Sequence, residues 1–302
     1  MKKPSITVVG AGSLALALVP ALRSAGYGIE EIVSRDSAPS RSRARRLAHA
    51  AGARAATFAT ARLTAEVVWF CVSDSAIAAC ARELASRTEW TGKIALHSSG
   101  ALSSEELDPL RRLGAQAASL HPMMTFVRRS SPCFAGVGFA VEGDRRAVAV
   151  AKVIGKHLGG EVFSIRKSAK PLYHAWGAFG SPLLVMELVL AERVARSSGL
   201  SAGTAKKIIE PMVRRTIDNY FAHGAAAAFS GPMVRGDVET VDRHLQELAR
   251  VPGAREVYLS LARSALNTLP VAKKRQFQEA LANRQLLTEH PPRHGVTEDT
   301  GS

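Results

Sequence analysis

The stretch ITVVGAGSLA, Ile6–Ala15, places a glycine-rich turn between two apolar segments near the start of the chain. The run Ile6–Val9 predicts a buried β-strand, and the residues after the turn predict a helix. Gly10 permits a tight turn, Gly12 has no Cβ to keep a phosphate away, and Ala15 allows close helix–strand packing. The N–H groups that open such a helix bind anions. The pattern therefore predicts a turn that holds the diphosphate of a dinucleotide, with contacts from Gly10, Gly12, Ser13 and Leu14.

A secretory signal is the alternative interpretation of this segment, because Lys2 and Lys3 precede an apolar run that reaches Leu22. Two glycines and Pro20 interrupt that run, and no small-x-small cleavage site is followed by a polar segment. The strand–turn–helix interpretation is therefore favoured.

Composition indicates a folded protein of two domains, since the chain has 302 residues of which 46% are hydrophobic. Three cysteines without C-x-x-C spacing argue against a disulfide framework or a zinc site, so we expect no metal and a cytoplasmic protein. The net charge of +14 comes from scattered arginines, dense only at Arg41–Arg46, and we expect no nucleic-acid partner. The apolar segment Leu183–Leu190 contains Glu187 and predicts a buried core helix rather than a membrane span, so no membrane partner is expected.

Strands and helices alternate in the first half of the chain, which predicts a doubly wound parallel sheet with right-handed crossovers, the Rossmann architecture of the α/β class. The predicted strands are Ile6–Val9, Ile29–Val33, Arg54–Ala56, Val67–Val72, Lys93–His97, Gln116–Leu120, Gly138–Val141 and Glu161–Ile165. The predicted helices between them are Leu14–Ser24, Arg41–Ala50, Ile77–Ser86 and Ser104–Leu113.

Only helices are predicted after Arg166, namely Lys170–Arg196, Ala205–Phe221, Val238–Leu248, Arg255–Leu269 and Lys273–Leu286. We therefore predict a cofactor-binding Rossmann domain over residues 1–166 and an all-helical substrate and dimerisation domain over residues 167–288. Residues 289–302 lack apolar periodicity and are predicted to be a disordered tail. A site in the cleft between the two domains is expected.

The end of the second strand indicates which dinucleotide is bound, because that position contacts the adenosine ribose. Here Ser34 and Arg35 follow the strand, and their donors suit the 2′-phosphate of NADP, with Arg41 or Arg43 as further donors. Asp36 is the alternative, as the ribose-binding carboxylate of an NAD protein. NADP is favoured.

Two further loops follow strands at the same predicted edge of the sheet. Val72 and Ser73 come after the buried fourth strand, and Ser98 and Ser99 come after the fifth. Their small side chains leave room for the nicotinamide half of the cofactor, although each loop alone is equally typical of a strand-to-helix cap.

Reduction of a substrate needs a proton donor or a fixed positive dipole beside the atom that gains charge. Lys170 and His174 are four residues apart at the start of a predicted helix and share one face. The positive end of the helix dipole favours the neutral amine of Lys170, which suits an acid at working pH. His121, at a strand end, is the third candidate, and it could equally fix the following loop.

Taken in order, these motifs resemble bacterial Rossmann-like, oxidoreductase-like proteins with a C-terminal helical domain of unknown function. The resemblance rests on the Gly10–Ala15 turn, the loop His97–Ala101, the segment Ser119–Pro122, the pair Tyr173–His174 and the segment Gly231–Asp237. That group is similar to ketopantoate reductase, pyrroline-5-carboxylate reductase and the deazaflavin-dependent NADP reductases. The resemblance implies cofactor contacts at Gly10, Gly12 and Arg35, and a reaction assisted by Lys170. Ser181–Pro182 departs from the serine–asparagine pair of many relatives, which puts substrate positioning in doubt.

The expected function is an NADPH-dependent reductase of a small carbonyl or imine substrate. We expect the substrate to be anionic, and the resemblance implies a 2-oxo acid such as ketopantoate as one candidate. The alternative is a non-catalytic NADP-binding protein that regulates or senses, since the same turn serves both roles. A homodimer formed through the helical domain is expected.

Overall fold

The computed structural model describes residues 3–126 and 133–289 of the chain. The predicted tail falls almost wholly outside these residues. Eight strands form one sheet: β1 (Ile6–Val9), β2 (Ile29–Ser34), β3 (Arg54–Thr57), β4 (Val67–Phe70), β5 (Ile94–His97), β6 (Gln116–Pro122), β7 (Gly138–Gly143) and β8 (Glu161–Ser164).

The strand order is β3-β2-β1-β4-β5-β6-β7-β8, so the chain reverses its direction across the sheet between β1 and β4. Strands β1 to β6 run parallel to one another, in register pairs such as Val8 with Trp69. The mostly parallel, doubly wound sheet that the sequence predicts is confirmed.

The expectation of an entirely parallel sheet is wrong at one place, because β7 runs antiparallel to β6, with His121 opposite Ala140. Parallel neighbours need a long crossover, which is usually a helix. The described residues of this connection, 123–126 and 133–137, contain no helix.

Apolar side chains cover both faces of the sheet. Along β4, Val67 and Trp69 join one core cluster, while Val68 and Phe70 join the cluster on the opposite face. This alternation explains why the strand is continuously apolar in sequence.

Thirteen helices occur within the described residues. They are α1 (Ser13–Ser24), α2 (Ala38–Ala51), α3 (Ile77–Leu84), α4 (Asp108–Arg111), α5 (Arg145–His157), α6 (Lys170–Gly180), α7 (Pro182–Ser197), α8 (Ala202–His223), α9 (Ala225–Ala228), α10 (Pro232–Arg235), α11 (Val238–Leu248), α12 (Ala254–Thr268) and α13 (Lys274–Glu289).

Several helices differ from the sequence prediction, which did not include α5, α9 or α10. Helix α5 was not predicted, although its buried residues Ala147, Ala151 and Ile154 recur with helical spacing. The single helix predicted from Lys170 is divided at Ser181, because Pro182 lacks an N–H and disfavours helical backbone in the residue before it.

The chain forms two compact units, residues 1–182 and 183–302. Helix α6 belongs to the unit that contains the sheet, whereas the sequence analysis placed the boundary after Arg166. The reason lies in Lys170, whose side chain is buried against β5 and β6.

The second unit has its own apolar core, formed by α10–α13 around Val241, Leu245 and Phe277. The expectation that Leu183–Leu190 forms a buried core helix is wrong for the single chain. Helix α7 contributes no buried residue, and Val185 is 56% exposed. No helix in the described part of the chain is long and apolar enough to cross a membrane.

Candidate functional site

The carboxyl ends of the parallel strands bring the predicted site residues to one edge of the sheet. Gly10 follows β1, Ser34 ends β2, Cys71 follows β4, Ser98 follows β5, and His121 lies near the end of β6. Ligands of open α/β sheets bind outside this edge, at the point where the strand order reverses. In this sheet that point lies between β1 and β4.

Gly10 makes the close approach between these two strands possible. Its φ of +112° is in the region that favours glycine, and its N–H donates to the Val33 carbonyl oxygen at 2.7 Å. A Cβ on Gly10 would lie 2.3 Å from the Cys71 carbonyl oxygen. Glycine is therefore needed here by the fold itself.

Gly12 differs from Gly10, because its backbone is extended and the nearest atom to an added Cβ would be 4.0 Å away. It is the N-cap of α1, and Ser13 and Leu14 form the first turn, which has no acidic residue. The open N–H groups and the helix dipole make this turn a place for an anion. The fold therefore leaves space beside Gly12, but it does not need a glycine at this position in order to form.

One pocket runs from the glycine turn to the end of β2. Six predicted cofactor residues line it: Gly10, Gly12, Ser34, Arg35, Val72 and Ser73. Further lining residues, among them Ser40, Phe58 and Cys80, were not predicted, and Arg43 was one of two possible donors.

Arg35 and Asp36 differ in their ion pairing at this pocket. The Asp36 carboxylate is paired with the Arg41 guanidinium, so its charge is compensated. Arg35 and Arg43 line the pocket, and Arg43 Nη2 lies 3.5 Å from Ser40 Oγ. The end of β2 therefore presents cationic donors to the pocket, as the sequence prediction of NADP requires.

Ser98 and Ser99 lie at the end of β5 but do different things. Trp69 Nε1 donates to Ser98 Oγ at 2.8 Å, and Ser98 stays partly exposed. Ser99 Oγ is buried, donates to Asp74 Oδ2 at 2.7 Å and accepts the N–H groups of Ala101 and Leu102. Ser99 shapes the loop through its side chain, and Ser98 retains a hydroxyl at the edge.

Lys170 is 1% exposed and its ammonium group lies inside the unit. Nζ donates to the Ser99 carbonyl oxygen at 2.8 Å and to Ser119 Oγ at 2.6 Å, and it lies 4.0 Å from Glu142 Oε1. Burial lowers the pKa of Lys170 to about 8, against the opposing influence of Glu142 and Asp74. Glu142 is itself buried and accepts hydrogen bonds from the Ser104 N–H and hydroxyl.

His121 and His174 meet over Gly100. An added Cβ on Gly100 would lie 2.6 Å from His174 Cδ2 and 2.8 Å from His121 Nε2, so this glycine leaves the space that both rings use. His121 Nδ1 is 2.9 Å from the Tyr173 hydroxyl. The structure thus brings together all three predicted catalytic candidates. Tyr173, whose place three residues after Lys170 in sequence put it on the same helix, was missed.

His97 is a buried histidine that the sequence placed only in a loop motif. Its Nδ1 accepts the Ser99 N–H at 3.1 Å, and its Nε2 lies 3.0 Å from the Ser103 carbonyl oxygen. Burial lowers the pKa of His97 to about 3, so the ring is neutral at neutral pH. With both nitrogens engaged, His97 holds the Ser98–Gly100 loop in place.

Two family models match the chain. A model of a Rossmann-like domain matches residues 1–122, and a model described as domain of unknown function DUF2520 matches residues 137–265. The chain thus resembles a Rossmann-like domain followed by a DUF2520 domain. The resemblance and the fold class predicted from the sequence are confirmed by these matches. Residues of both domains form the cluster, since Gly100 and His121 come from the Rossmann-like domain, and Lys170, Tyr173 and His174 come from DUF2520.

Solved structures share this fold over most of their length. A Thermotoga maritima protein is 25% identical with a TM-score of 0.69, covering 93% of this chain and 99% of its own. A Bacteroides fragilis protein provisionally assigned as an NADP oxidoreductase is 23% identical, with a TM-score of 0.71 and coverages of 87% and 97%. An imine reductase from Myxococcus stipitatus in complex with NADP⁺ is 16% identical, with a TM-score of 0.65 and coverages of 93% and 100%. No curated protein matches the chain in sequence.

Proposed function

We propose that this protein is an NADPH-dependent reductase of a small carbonyl or imine compound. One observation carries the proposal: a glycine turn at the sheet's point of reversal opens into a pocket whose far end is lined by Arg35 and Arg43. The fold is shared with an imine reductase bound to NADP⁺ and with the Bacteroides fragilis protein, which supports this class of reaction.

The residues present suit the cofactor at both of its ends. The turn at Gly10 and Gly12 offers N–H groups and open space for the diphosphate, and Arg35, Arg43 and the two serines beside them offer donors for a 2′-phosphate. When bound, the reduced nicotinamide supplies a hydride to the carbon of a C=O or C=N bond. Val72, Ser73 and Ser98 are the residues that we assign to its ribose and ring.

Replacing Arg35 or Arg43 with serine is expected to weaken NADPH binding about 10- to 100-fold and to leave NADH binding almost unchanged. Each arginine makes a charge-assisted hydrogen bond to the 2′-phosphate, worth about 1.5–3 kcal/mol. Arg46→Ser is the matched control. Arg46 lies on α2, as Arg43 does, but it donates a hydrogen bond to Ser42 outside the pocket. Calorimetric titration with both nucleotides measures this effect, and equal losses for the two would exclude the phosphate assignment.

We propose an anionic substrate, with 2-oxo acids such as ketopantoate as the first class to assay and cyclic imines as the second. The support is the net charge of +14 and the cationic surroundings of the site. NADPH consumption with any of these compounds identifies a reductase. Tight NADPH binding with no turnover across both panels favours the non-catalytic, sensing alternative.

We also propose a homodimer formed through α7 and α8. In the single chain α7 buries no residue and α8 buries only Ala205, so their apolar side chains lack a core. Light scattering should give twice the chain mass, and Val185→Glu should yield a monomer. Leu261→Glu, a comparably exposed apolar position on α12, is the control and should remain dimeric. A monomeric wild-type protein would refute this assembly.

A further inference from the structure

Within the described residues, the two ring nitrogens of His121 differ in their hydrogen bonding. Its Nδ1 is engaged by the Tyr173 hydroxyl at 2.9 Å, while no residue in the described ranges makes a hydrogen bond at Nε2. Nε2 lies over Gly100, at the carboxyl end of β5, and His121 as a whole is partly exposed. Nε2 therefore faces the edge of the sheet where the glycine turn and Ser98 also lie.

Either group of the Tyr173–His121 hydrogen bond can be the donor, and the tautomer of the ring decides which. Tyr173 is buried, and burial raises the pKa of its hydroxyl to about 12, so the phenol keeps its proton at neutral pH. Burial lowers the pKa of His121 to about 4, helped by the positive charge of Lys170 and by His174. A neutral imidazole carries one proton, which lies on Nε2 in the tautomer in which Tyr173 donates to Nδ1.

Two charged or ionisable neighbours act on His121 in the same sense as its burial. Lys170 and His174, both on α6, disfavour a second proton on the ring. The ring therefore stays a neutral donor over the range in which an unperturbed histidine would titrate.

We propose that His121, held by Tyr173 with its proton on Nε2, is the residue that donates a hydrogen bond to the substrate oxygen or nitrogen, and that Lys170 is a positioning residue. This rests on the proposed reductase function. As the substrate carbon is reduced, the π electron pair of its C=O or C=N bond moves to the heteroatom. The Nε2–H group stabilises the charge that develops there, and water supplies the final proton, so His121 keeps its own proton.

Lys170 acts through its neighbours because its ammonium group is enclosed by the protein. The side chain is 1% exposed, Nζ donates to the Ser99 carbonyl oxygen and to Ser119 Oγ, and Glu142 Oε1 lies 4.0 Å away. Its position fixes the loop that carries Gly100, and its charge keeps the His121 ring neutral.

Nitrogen-15 NMR of the histidine rings in the full-length protein tests the proton position without any turnover. Wild-type His121 should hold its proton on Nε2 and stay neutral down to about pH 5. Tyr173→Phe should populate the Nδ1–H tautomer, and Lys170→Met should raise the pKa of His121. His157 is the control, since its Nδ1 lies 2.7 Å from the Tyr27 hydroxyl, away from the site. Tyr27→Phe should alter His157 and leave His121 unchanged.

Adding NADP⁺ tests the placement. The Nε2 resonance of His121 should shift and that of His157 should not. A proton on Nδ1 in the wild-type protein, no response to Tyr173→Phe, or NADP⁺ bound by calorimetry with His121 unperturbed would each overturn the inference. Absence of NADP⁺ binding by calorimetry would instead overturn the proposed function, which makes the two failures distinguishable.

Kinetics then test contact with the substrate, using any compound of the two panels that is reduced. His121→Phe should lower kcat about 100-fold. His121→Gln, which retains an N–H donor, should recover part of that loss. Equal rates for wild type and His121→Phe would exclude His121 from the reaction.

Discussion

Lys170→Met should lower the free energy of unfolding by about 3 kcal/mol. The substitution leaves the buried Glu142 carboxylate without its cation and removes the donors to Ser119 Oγ and the Ser99 carbonyl oxygen. Breaking a buried pair by removing one partner costs about 3–5 kcal/mol. The lower end applies because Glu142 keeps two hydrogen bonds from Ser104. Urea unfolding of the wild-type and variant proteins measures the difference.

Lys167→Met is the control for this experiment. Lys167 lies three residues away, is exposed, and pairs with the exposed Glu105 carboxylate at 3.4 Å. A surface pair of this kind contributes about 0–1 kcal/mol. Adding Glu142→Gln to Lys170→Met should recover part of the lost stability, since the unpaired charge is then removed. Equal effects of the Lys167 and Lys170 substitutions would contradict the structural account of the buried lysine.

Lys170 also makes the free energy of unfolding of the wild-type protein depend on pH. Burial lowers its pKa from 10.5 in the unfolded chain to about 8 in the folded protein. Between these values the unfolded chain binds more protons than the folded one, so wild-type stability rises with pH relative to Lys170→Met. The gap between the two proteins should therefore widen from pH 8 to pH 10. A constant gap would mean that the ammonium group is not desolvated.

The fold could be predicted from sequence where the signal is local. A strand that is covered on both faces needs apolar residues throughout, so the continuous apolar run of β4 indicates its own burial. The glycines after β1 likewise indicate a tight turn at their own position. The antiparallel β7 could not be predicted in this way. Strand direction depends on how the chain between β6 and β7 travels, and no residue within either strand encodes it.

The sequence predicted which residue types form the candidate site, but not which side chains each of them contacts. Arg35 and Asp36 are adjacent, and only the pairing of Asp36 with Arg41 shows which of the two faces the pocket without a counterion. Likewise, helical spacing put Lys170 and His174 on one face of α6. Spacing could not show that Ser119 and Glu142, which pair across the neighbouring strands β6 and β7, enclose the lysine while His174 stays exposed.

Gly12→Ala should weaken NADPH binding about 100-fold, equivalent to about 2.7 kcal/mol, while changing the free energy of unfolding by less than about 0.5 kcal/mol. Gly12 has extended backbone, and its new Cβ would meet no protein atom closer than 4.0 Å. The methyl group would instead occupy the space in front of the α1 N-terminus, where the proposed diphosphate contacts the N–H groups.

Gly10→Ala, two residues away, should instead destabilise the fold. Its φ of +112° is strained for alanine, and its Cβ would lie 2.3 Å from the Cys71 carbonyl oxygen, so β1 and β4 must move apart. We expect a loss of about 2–5 kcal/mol in the free energy of unfolding from strain and overpacking. Thermal unfolding with and without NADPH separates the two variants. Gly10→Ala should unfold at a lower temperature in both conditions, and Gly12→Ala should lose only the increase that NADPH confers. If Gly12→Ala binds NADPH as tightly as the wild-type protein, the turn does not hold the diphosphate, and the reductase proposal fails with it.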